Sequence, residues 1–474
     1  MFETIQNKAI IPDILPLSID KTRIAATMND AKKRKMWVLC FIIGTKPCIN
    51  KFYGAITHCL KNNIPLIVIN SNQHYDSALT KGLEEFDYLK EISVNLNLRG
   101  DLSQKSGELF FKLKWFAKYL KENWSDVTTV PVINGDVIVA AIAPAAWMFT
   151  RGEKAINMES GLRSMSPNSL IKLKEKKYTL SETETFVEEQ WNGKWNLMTN
   201  EPYPEQWDTF VSAKGCHYHF APLQINKDHL LREGYPEKRI FVSGAVVIDA
   251  WKELEKRKPM KSIFEIYPKL ENEAWLRVDI HRKENTTERR FKTVIAGLKT
   301  LVDKGHNINL VGMNATEYAI KKYNLTPIID EMKKKKNFLY TPLWPEFQNV
   351  MEFYKSKHNL VPITDSGGLQ EDMNYWRKPC ITVRFSSDRP ESIKDSHSNI
   401  LIPPFHEKQF SSQIHNIIEN ESILKKMAKA KYIYGQGFGE KFSKKVKELM
   451  ETEYPYTWTH EEIGLWKEQD HVDF

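Results

Sequence analysis

The sequence predicts an α/β protein of two successive Rossmann-like halves facing a cleft. Three observations predict it. Short apolar runs rich in branched residues alternate with stretches of helical spacing, the pattern of a parallel sheet covered by helices on both faces. The alternation stops and restarts after about residue 245. A chain of 474 residues also suffices for two or three domains, each able to bury a full core without disulfide or metal staples.

In order, MWVLCFIIGT reads as a buried strand, KPCINKFYGAITHCLKNN as a helix and PLIVIN as a second strand. A helical region around Phe110 to Asn123 leads to the strand VPVINGD, the helix VIVAAIAPAAWMFTRGE and the short strand KAINMES. The second half repeats the pattern. AWLRVDI is a strand, RRFKTVIAGLKTLVDKG a helix, and INLVGM and NLVPITD are strands. A glycine pair then opens the helix LQEDMNYW, and KPCITVR and NILIP complete the set. The expected organisation is an N-terminal extension (1–35), an N-terminal Rossmann-like domain (36–245) and a C-terminal one (246–440). A C-terminal helical segment (441–474) is expected to return to the first domain. Residues 165–200, rich in Lys, Glu, Thr and Ser around Trp191 and Trp195, read as an insertion in the first domain, either a surface element or a flap over the cleft.

Composition excludes several classes. Hydrophobic residues at 41% and charged residues at 27% are those of an ordinary globular protein. The net charge of +8 arises from 68 basic and 60 acidic residues. The basic runs Lys32 to Lys35 and Lys333 to Lys336 lack interleaved aromatics, so they read as solvated helix faces and no nucleic-acid partner is expected. The five cysteines are scattered and form no CxxC pair, which argues against a disulfide framework or a structural zinc site. Asp13, Asp20 and Lys21 interrupt the first apolar stretch, so no secretory leader is read there. Trp37 to Ile43 is far too short to span a bilayer, and a reducing, cytoplasmic setting without a membrane partner is expected.

Several residues could carry chemistry. Lys46, in Gly44-Thr45-Lys46-Pro47, follows a buried strand, where open sheets bind ligands and a lysine can neutralise a phosphate. Ser366, Gly367 and Gly368 join a strand to a helix, where backbone can approach an anion closely. Asp136, Glu159 and Glu205 read as acids at strand ends, where carboxylates can act as general acid and base; helix capping is the plainer alternative for each. His281 follows AWLRVDI, and Arg389 opens Arg389-Pro390-Glu391; both could stabilise a leaving diphosphate, or simply be surface charge. His217 and His219 share one strand face without acid or Cys at ligand spacing, which favours packing over metal.

Taken in order, GTKP, INGD, MESGLRS, YPEQ, YHFAP, RIFVSGAVVIDA, HRKEN, TDSGGLQED, KPCITVR, DRPESI and YGQG resemble the landmark motifs of the UDP-N-acetylglucosamine 2-epimerases, from about residue 38 to 440. MESGLRS and SGAVVIDA are most similar to the non-hydrolysing branch. The resemblance implies a glycosyltransferase-B-type pair of Rossmann-like domains, with UDP held mainly by the second. It implies a reaction needing no metal or other cofactor. The C2 proton is removed, UDP leaves across C1–O to give a 2-acetamidoglucal, and re-addition inverts C2. Matched by motif, Asp136, Glu159, Glu205 and His281 take the catalytic positions. Lys46, Ser366, Gly367, Gly368, Asp372 and Arg389 take the UDP-binding ones, with Glu391 in the RPE-type motif.

The sequence departs from the family at several points. Lys46 replaces an Arg, Cys48 an acid, and Asp208-Thr209 an Asn-Arg pair. Gly312 stands where relatives place a histidine for a second, activating substrate molecule. The expected function is C2 epimerisation of a UDP-N-acetylamino sugar, UDP-N-acetylglucosamine to UDP-N-acetylmannosamine, by a homodimer in polysaccharide biosynthesis. Alternatives are a hydrolysing 2-epimerase releasing UDP and a free N-acetylmannosamine-type sugar, an epimerase for a modified sugar, a retaining glycosyltransferase of the same fold, and a non-catalytic nucleotide-sugar sensor.

Overall fold

The computed structural model describes residues 14–72, 86–153, 155–198 and 201–452. Residues 1–13 of the expected extension and 453–474 of the expected terminal segment lie outside them. The chain folds into two compact units. The first takes the chain to Leu162, Pro204–Trp251 and the chain from Gly435; the second takes Arg163–Tyr203 and Lys252–Tyr434.

The first unit begins with strands β1 (Ser18–Ile19), β2 (Val38–Ile43), β3 (Leu66–Asn70), β4 (Ile92–Asn95), β5 (Thr129–Ile133) and β6 (Ala155–Asn157). An excursion into the second unit carries the antiparallel ribbon β7 (Met165–Pro167) and β8 (Trp195–Leu197). The chain returns with β9 (Cys216–Ala221) and β10 (Ile240–Val242), giving the sheet order β1-β4-β3-β2-β5-β6-β9-β10. Every pair in that sheet is parallel except β1 with β4. β2, β3 and β5 are buried along their whole length, so their near-continuous apolar runs carry no alternation.

Part of the expected N-terminal extension is core. The helix Lys21–Arg34 buries Ile24, Met28 and Ala31, an i, i+4, i+7 stripe packed with Val38 and Ile69. Its basic run is exposed at the helix carboxyl end, as is that of the helix Thr326–Lys333, where cations favour the helix dipole. The helix Phe438–Thr452 packs on the helix Lys46–Lys61 of the same unit.

The second unit holds β11 (Leu276–Asp279), β12 (Ile308–Gly312), β13 (Phe338–Pro342), β14 (Ile363–Thr364), β15 (Cys380–Thr382) and β16 (Asn399–Leu401). Their order is β13-β12-β11-β14-β15-β16, all parallel. This is the doubly wound Rossmann order, and the central strands of the first sheet, β4-β3-β2-β5-β6-β9, repeat it.

Residues 165–198, expected as an insertion in the first domain, pack within the second unit. The helix Leu180–Asn192 starts at a Thr179/Glu182 capping box and buries Phe186, Val187, Gln190 and Trp191. Phe186, Val187, Trp191 and Trp195 belong to the second unit's apolar core, with Leu401 and Ile414. Gln190 Nε2 donates to the Leu401 carbonyl at 2.8 Å, and Gln190 Oε1 accepts from Leu401 N–H at 2.8 Å. The surrounding Lys and Glu residues masked this apolar stripe in the composition.

Candidate functional site

In a doubly wound sheet, ligands bind beyond the strands' carboxyl ends, where the strand order reverses. That point lies between β2 and β5 in the first unit and between β11 and β14 in the second. The expected residues fall there in both. Gly44-Thr45-Lys46 follows β2 and Asn134-Gly135-Asp136 follows β5; His281 follows β11 and Asp365-Ser366 follows β14.

In the first unit, Lys46 is half-buried and opens the helix Lys46–Lys61. Asp136 is half-buried in the turn after β5. Glu159, just past β6, is buried and ion-paired with Lys51 at 2.5 Å. Gly135 joins these pieces. Its φ of +79° suits glycine, and a Cβ there would lie 3.4 Å from both Glu159 Oε2 and Lys51 Nζ. Glu205 is not at a strand end. It is the first residue of the helix Glu205–Lys214, because Pro204 forms the helix's amino-terminal cap position and breaks any strand before it.

Asp208 sits one turn further along that helix and is buried. Burial, then the charges of Asp136 and Glu205, push its carboxyl up to about 8. Asp136, Glu205 and Asp208 therefore form one electrostatically coupled cluster, with Glu159 and Lys51 held beside the same turn by Gly135. Lys51 was not singled out from the sequence, although a lysine amid the buried positions Cys48, Ile49 and Phe52 was a signal. Asn134 is 2% exposed and neither end of its amide has a hydrogen-bond partner. His217 and His219 are both buried; His219 Nδ1 lies 2.9 Å from Ser160 Oγ, as a packing role predicts.

In the second unit, buried Asp365 organises the loop after β11. It accepts from His281 N–H at 3.1 Å, Arg282 N–H at 2.9 Å and Asn285 Nδ2 at 3.1 Å, and its Oδ1 lies 3.1 Å from His281 Nδ1. His281 is thereby fixed and keeps 30% of its side chain exposed. Ser366 precedes the helix Gly367–Tyr375 and donates its backbone N–H to Thr364 Oγ1. The two glycines differ in purpose. A Cβ on Gly367 would lie 2.7 Å from the Asp388 carboxylate, whereas one on Gly368 would meet nothing within 4 Å. Gly367 is required by packing, and exposed Gly368 leaves the helix start open.

Asp372 is buried on that helix. Arg389, expected at the nucleotide, is spent largely inside the protein. It is 2% exposed, pairs with Glu371 through Nε and with Asp388 at 2.9 Å through Nη1. Burial alone would raise the Asp388 carboxyl, but Arg384, Arg389 and Arg282 outweigh it and hold the group well below the usual carboxylate range. Arg389 thus ties Asp388, which touches Gly367, to Glu371 on the glycine helix.

Among the described residues, two groups could present metal ligands. Asp279, His281 and Asp365 place ligand atoms within 4.8 Å of one another. However, Asp279 already accepts from Arg277 and Thr364, and Asp365 from the donors above, so both carboxylates are engaged by protein donors. The second group is His306, His415 and Glu419, in which His306 Nε2 and His415 Nδ1 are joined to each other at 2.8 Å.

Two doubly wound sheets, each with polar residues at its switch point, define an α/β protein of two Rossmann-like units. The sequence model of the UDP-N-acetylglucosamine 2-epimerase family matches residues 198–449. The UDP-N-acetylglucosamine 2-epimerase of Methanocaldococcus jannaschii is 26% identical over 379 residues, 78% of this chain and 89% of that protein. The enzyme of the same name from Salmonella borreze is 27% identical over 421 residues, 86% of this chain and 96% of its own. The crystal structure of the Methanocaldococcus jannaschii enzyme with UDP-GlcNAc and UDP aligns with a TM-score of 0.66 at 23% identity, covering 87% of this chain and 99% of that one. The Neisseria meningitidis enzyme bound to UDP-GlcNAc aligns with a TM-score of 0.68 at 22% identity, over 88% and 100%. The chain belongs to the UDP-N-acetylglucosamine 2-epimerase family and is an enzyme of the epimerase class. Among its described residues no helix is long and apolar enough to cross a membrane.

Proposed function

We propose that the protein epimerises C2 of a UDP-N-acetylamino sugar, converting UDP-N-acetylglucosamine to UDP-N-acetylmannosamine. The observation that carries this reading is the first unit's cluster of Asp136, Glu205 and Asp208, beside the Glu159–Lys51 pair. Inversion at C2 needs a proton removed from one face and one delivered to the other, so it needs several carboxyl groups in unlike protonation states. A base takes the C2 proton, the C1–O bond breaks, and UDP leaves with its electron pair, giving 2-acetamidoglucal. Protonation on the opposite face and return of UDP to C1 complete the inversion. In the second unit, His281, the open glycine turn at Ser366–Gly368 and Asp372 are assigned to UDP, with Lys46 of the first unit assigned to phosphate. Arg389 is assigned to holding that turn in place. Nothing in this assignment calls for a metal or other cofactor.

One observation favours a second reading, hydrolytic release of UDP and free N-acetylmannosamine. At Gly312 a Cβ would lie 2.4 Å from the Tyr340 hydroxyl, so no larger side chain fits without displacing that ring. A second substrate molecule held by a side chain at this position is thereby disfavoured, and with it a means of excluding water. The test is a time course with UDP-N-acetylglucosamine in heavy water, following C2 by NMR and free UDP by chromatography. Deuterium at C2 with UDP-linked product supports the epimerase, accumulating UDP the hydrolase, and no exchange at C2 sinks both.

We also propose a homodimer. In the first unit Phe111, Trp115 and Phe149 are 66%, 48% and 59% exposed on two helices that pack on one another. Phe110 lies 6.5 Å from Phe111 and 6.2 Å from Phe149, making one aromatic patch.

A further inference from the structure

Asp208 is one turn after Glu205 in the helix Glu205–Lys214, so the two share a face. Its residue is 1% exposed, and its Oδ1 has no hydrogen-bond partner. The neighbouring hydroxyl of Thr209 does not serve it, being turned to the Gln206 carbonyl at 2.9 Å. An ionised carboxylate left in that state would be an uncompensated buried charge, which proteins avoid by neutralising the group. Among the described residues, the cations on the elements packed against it are engaged elsewhere. The helix Ile138–Arg151 packs on this helix, and its one basic residue, Arg151, is bound to Glu153 at 2.7 Å. β9 contributes His217, against the Tyr218 ring, and His219, against Ser160. On the helix itself Lys214 lies over the Tyr235 ring. The remaining ionisable neighbours are Asp136 and Glu205, both acidic.

We propose that Asp208 is a positioning residue of the acid cluster: it holds a proton beside Asp136 and Glu205 and so keeps a further buried charge out of the cluster. Interacting carboxyls titrate as a set, and the most enclosed member keeps the proton. Burial and the two acidic neighbours push Asp208 up to about 8, which leaves it protonated at neutral pH. As pH rises through that value Asp208 ionises, and the cluster gains a charge it cannot compensate. An Asn at this position offers the same neutral hydrogen-bonding shape without titrating, so a pH dependence traceable to residue 208 is expected of this chain.

This inference rests on the proposed reaction. The test compares kcat against pH for the wild type and Asp208→Asn with UDP-N-acetylglucosamine. Wild-type kcat is expected to fall about tenfold per pH unit above the titration, and the variant is expected to lose that fall. Asp208→Glu, which still ionises, is expected to keep it. Identical alkaline limbs in wild type and Asp208→Asn overturn the proposal, as does a flat limb in a folded Asp208→Glu. If the wild type shows no turnover at all, the proposed reaction fails and infrared spectroscopy decides the role of Asp208. A wild-type-minus-Asp208→Asn difference spectrum at pH 7 is expected to show the carbonyl band of an unionised carboxylic acid. Its absence overturns the proposal independently of activity.

Discussion

Two carboxyl groups three residues apart show opposite ways of surviving burial. Asp388 stays charged because Arg384 and Arg389 lie 2.7 Å and 2.9 Å from its oxygens. Glu391 receives the Tyr434 hydroxyl at 3.0 Å, and burial pushes it up to about 8 despite Arg389. Folded Glu391 is thus neutral at pH 7, while the unfolded chain ionises it. The folded state binds the extra proton, so this group's stabilisation is full below the ordinary glutamate range and is lost as pH rises through 8. The slope is at most about 1.4 kcal/mol per pH unit for one proton. Glu391→Gln cannot titrate, so wild-type melting temperature is expected to fall relative to the variant between pH 5 and pH 8. Parallel melting curves across that range would show that Glu391 is ionised when folded. At this scale the sequence was legible in position, since Asp136, Glu159 and His281 each follow a strand end as expected. It was opaque where the property is burial: nothing local distinguishes Asp208 from a surface aspartate, or shows that Arg389 is consumed by Glu371.

At the scale of elements, the buried strands were legible because β2, β3, β5 and β12 are covered on both faces and therefore apolar throughout. β14, only two residues long, was expected longer from NLVPITD, since apolar residues flanking a strand pack without pairing. The helix Leu180–Asn192 was placed in the wrong unit because adjacency along a chain says nothing of where an amphipathic face docks. That docking is strong. Trp191 is buried, donates Nε1–H to the Asn399 carbonyl at 3.2 Å, stacks on His397 at 5.1 Å and lies under Lys426 at 4.4 Å. Trp191→Ala is expected to cost the second unit about 3–5 kcal/mol, as large-to-small core changes do. Hydrogen exchange would read it as lost protection in β15 and β16, with the amides of β2 and β3 unaffected. Equal loss in both sheets would mean that the helix does not belong to one unit.

At the scale of the molecule, the restart of strand–helix alternation announced two sheets, and both carry the same central order. The aromatic patch of Phe111, Trp115 and Phe149 belongs here, since exposed rings in such number are costly in a monomer. Light scattering is expected to give a dimer for the wild type and a monomer for Phe111→Glu/Trp115→Lys, with circular dichroism unchanged. A wild type that remains monomeric at high protein concentration would remove the patch from consideration as a self-association surface.

The path of the chain between its units has a consequence for biosynthesis. It passes from one to the other after Leu162, Tyr203, Trp251 and Tyr434. Trp191 finds its acceptor at Asn399, 208 residues later. A ribosome adding about 5–20 residues per second therefore leaves this helix without its docking surface for roughly 10–40 s. During that interval Phe186, Val187 and Trp191 are an apolar segment on a nascent chain. The Lys and Glu residues that disguised the helix in the sequence then act as its solubilising coat until the last strand arrives.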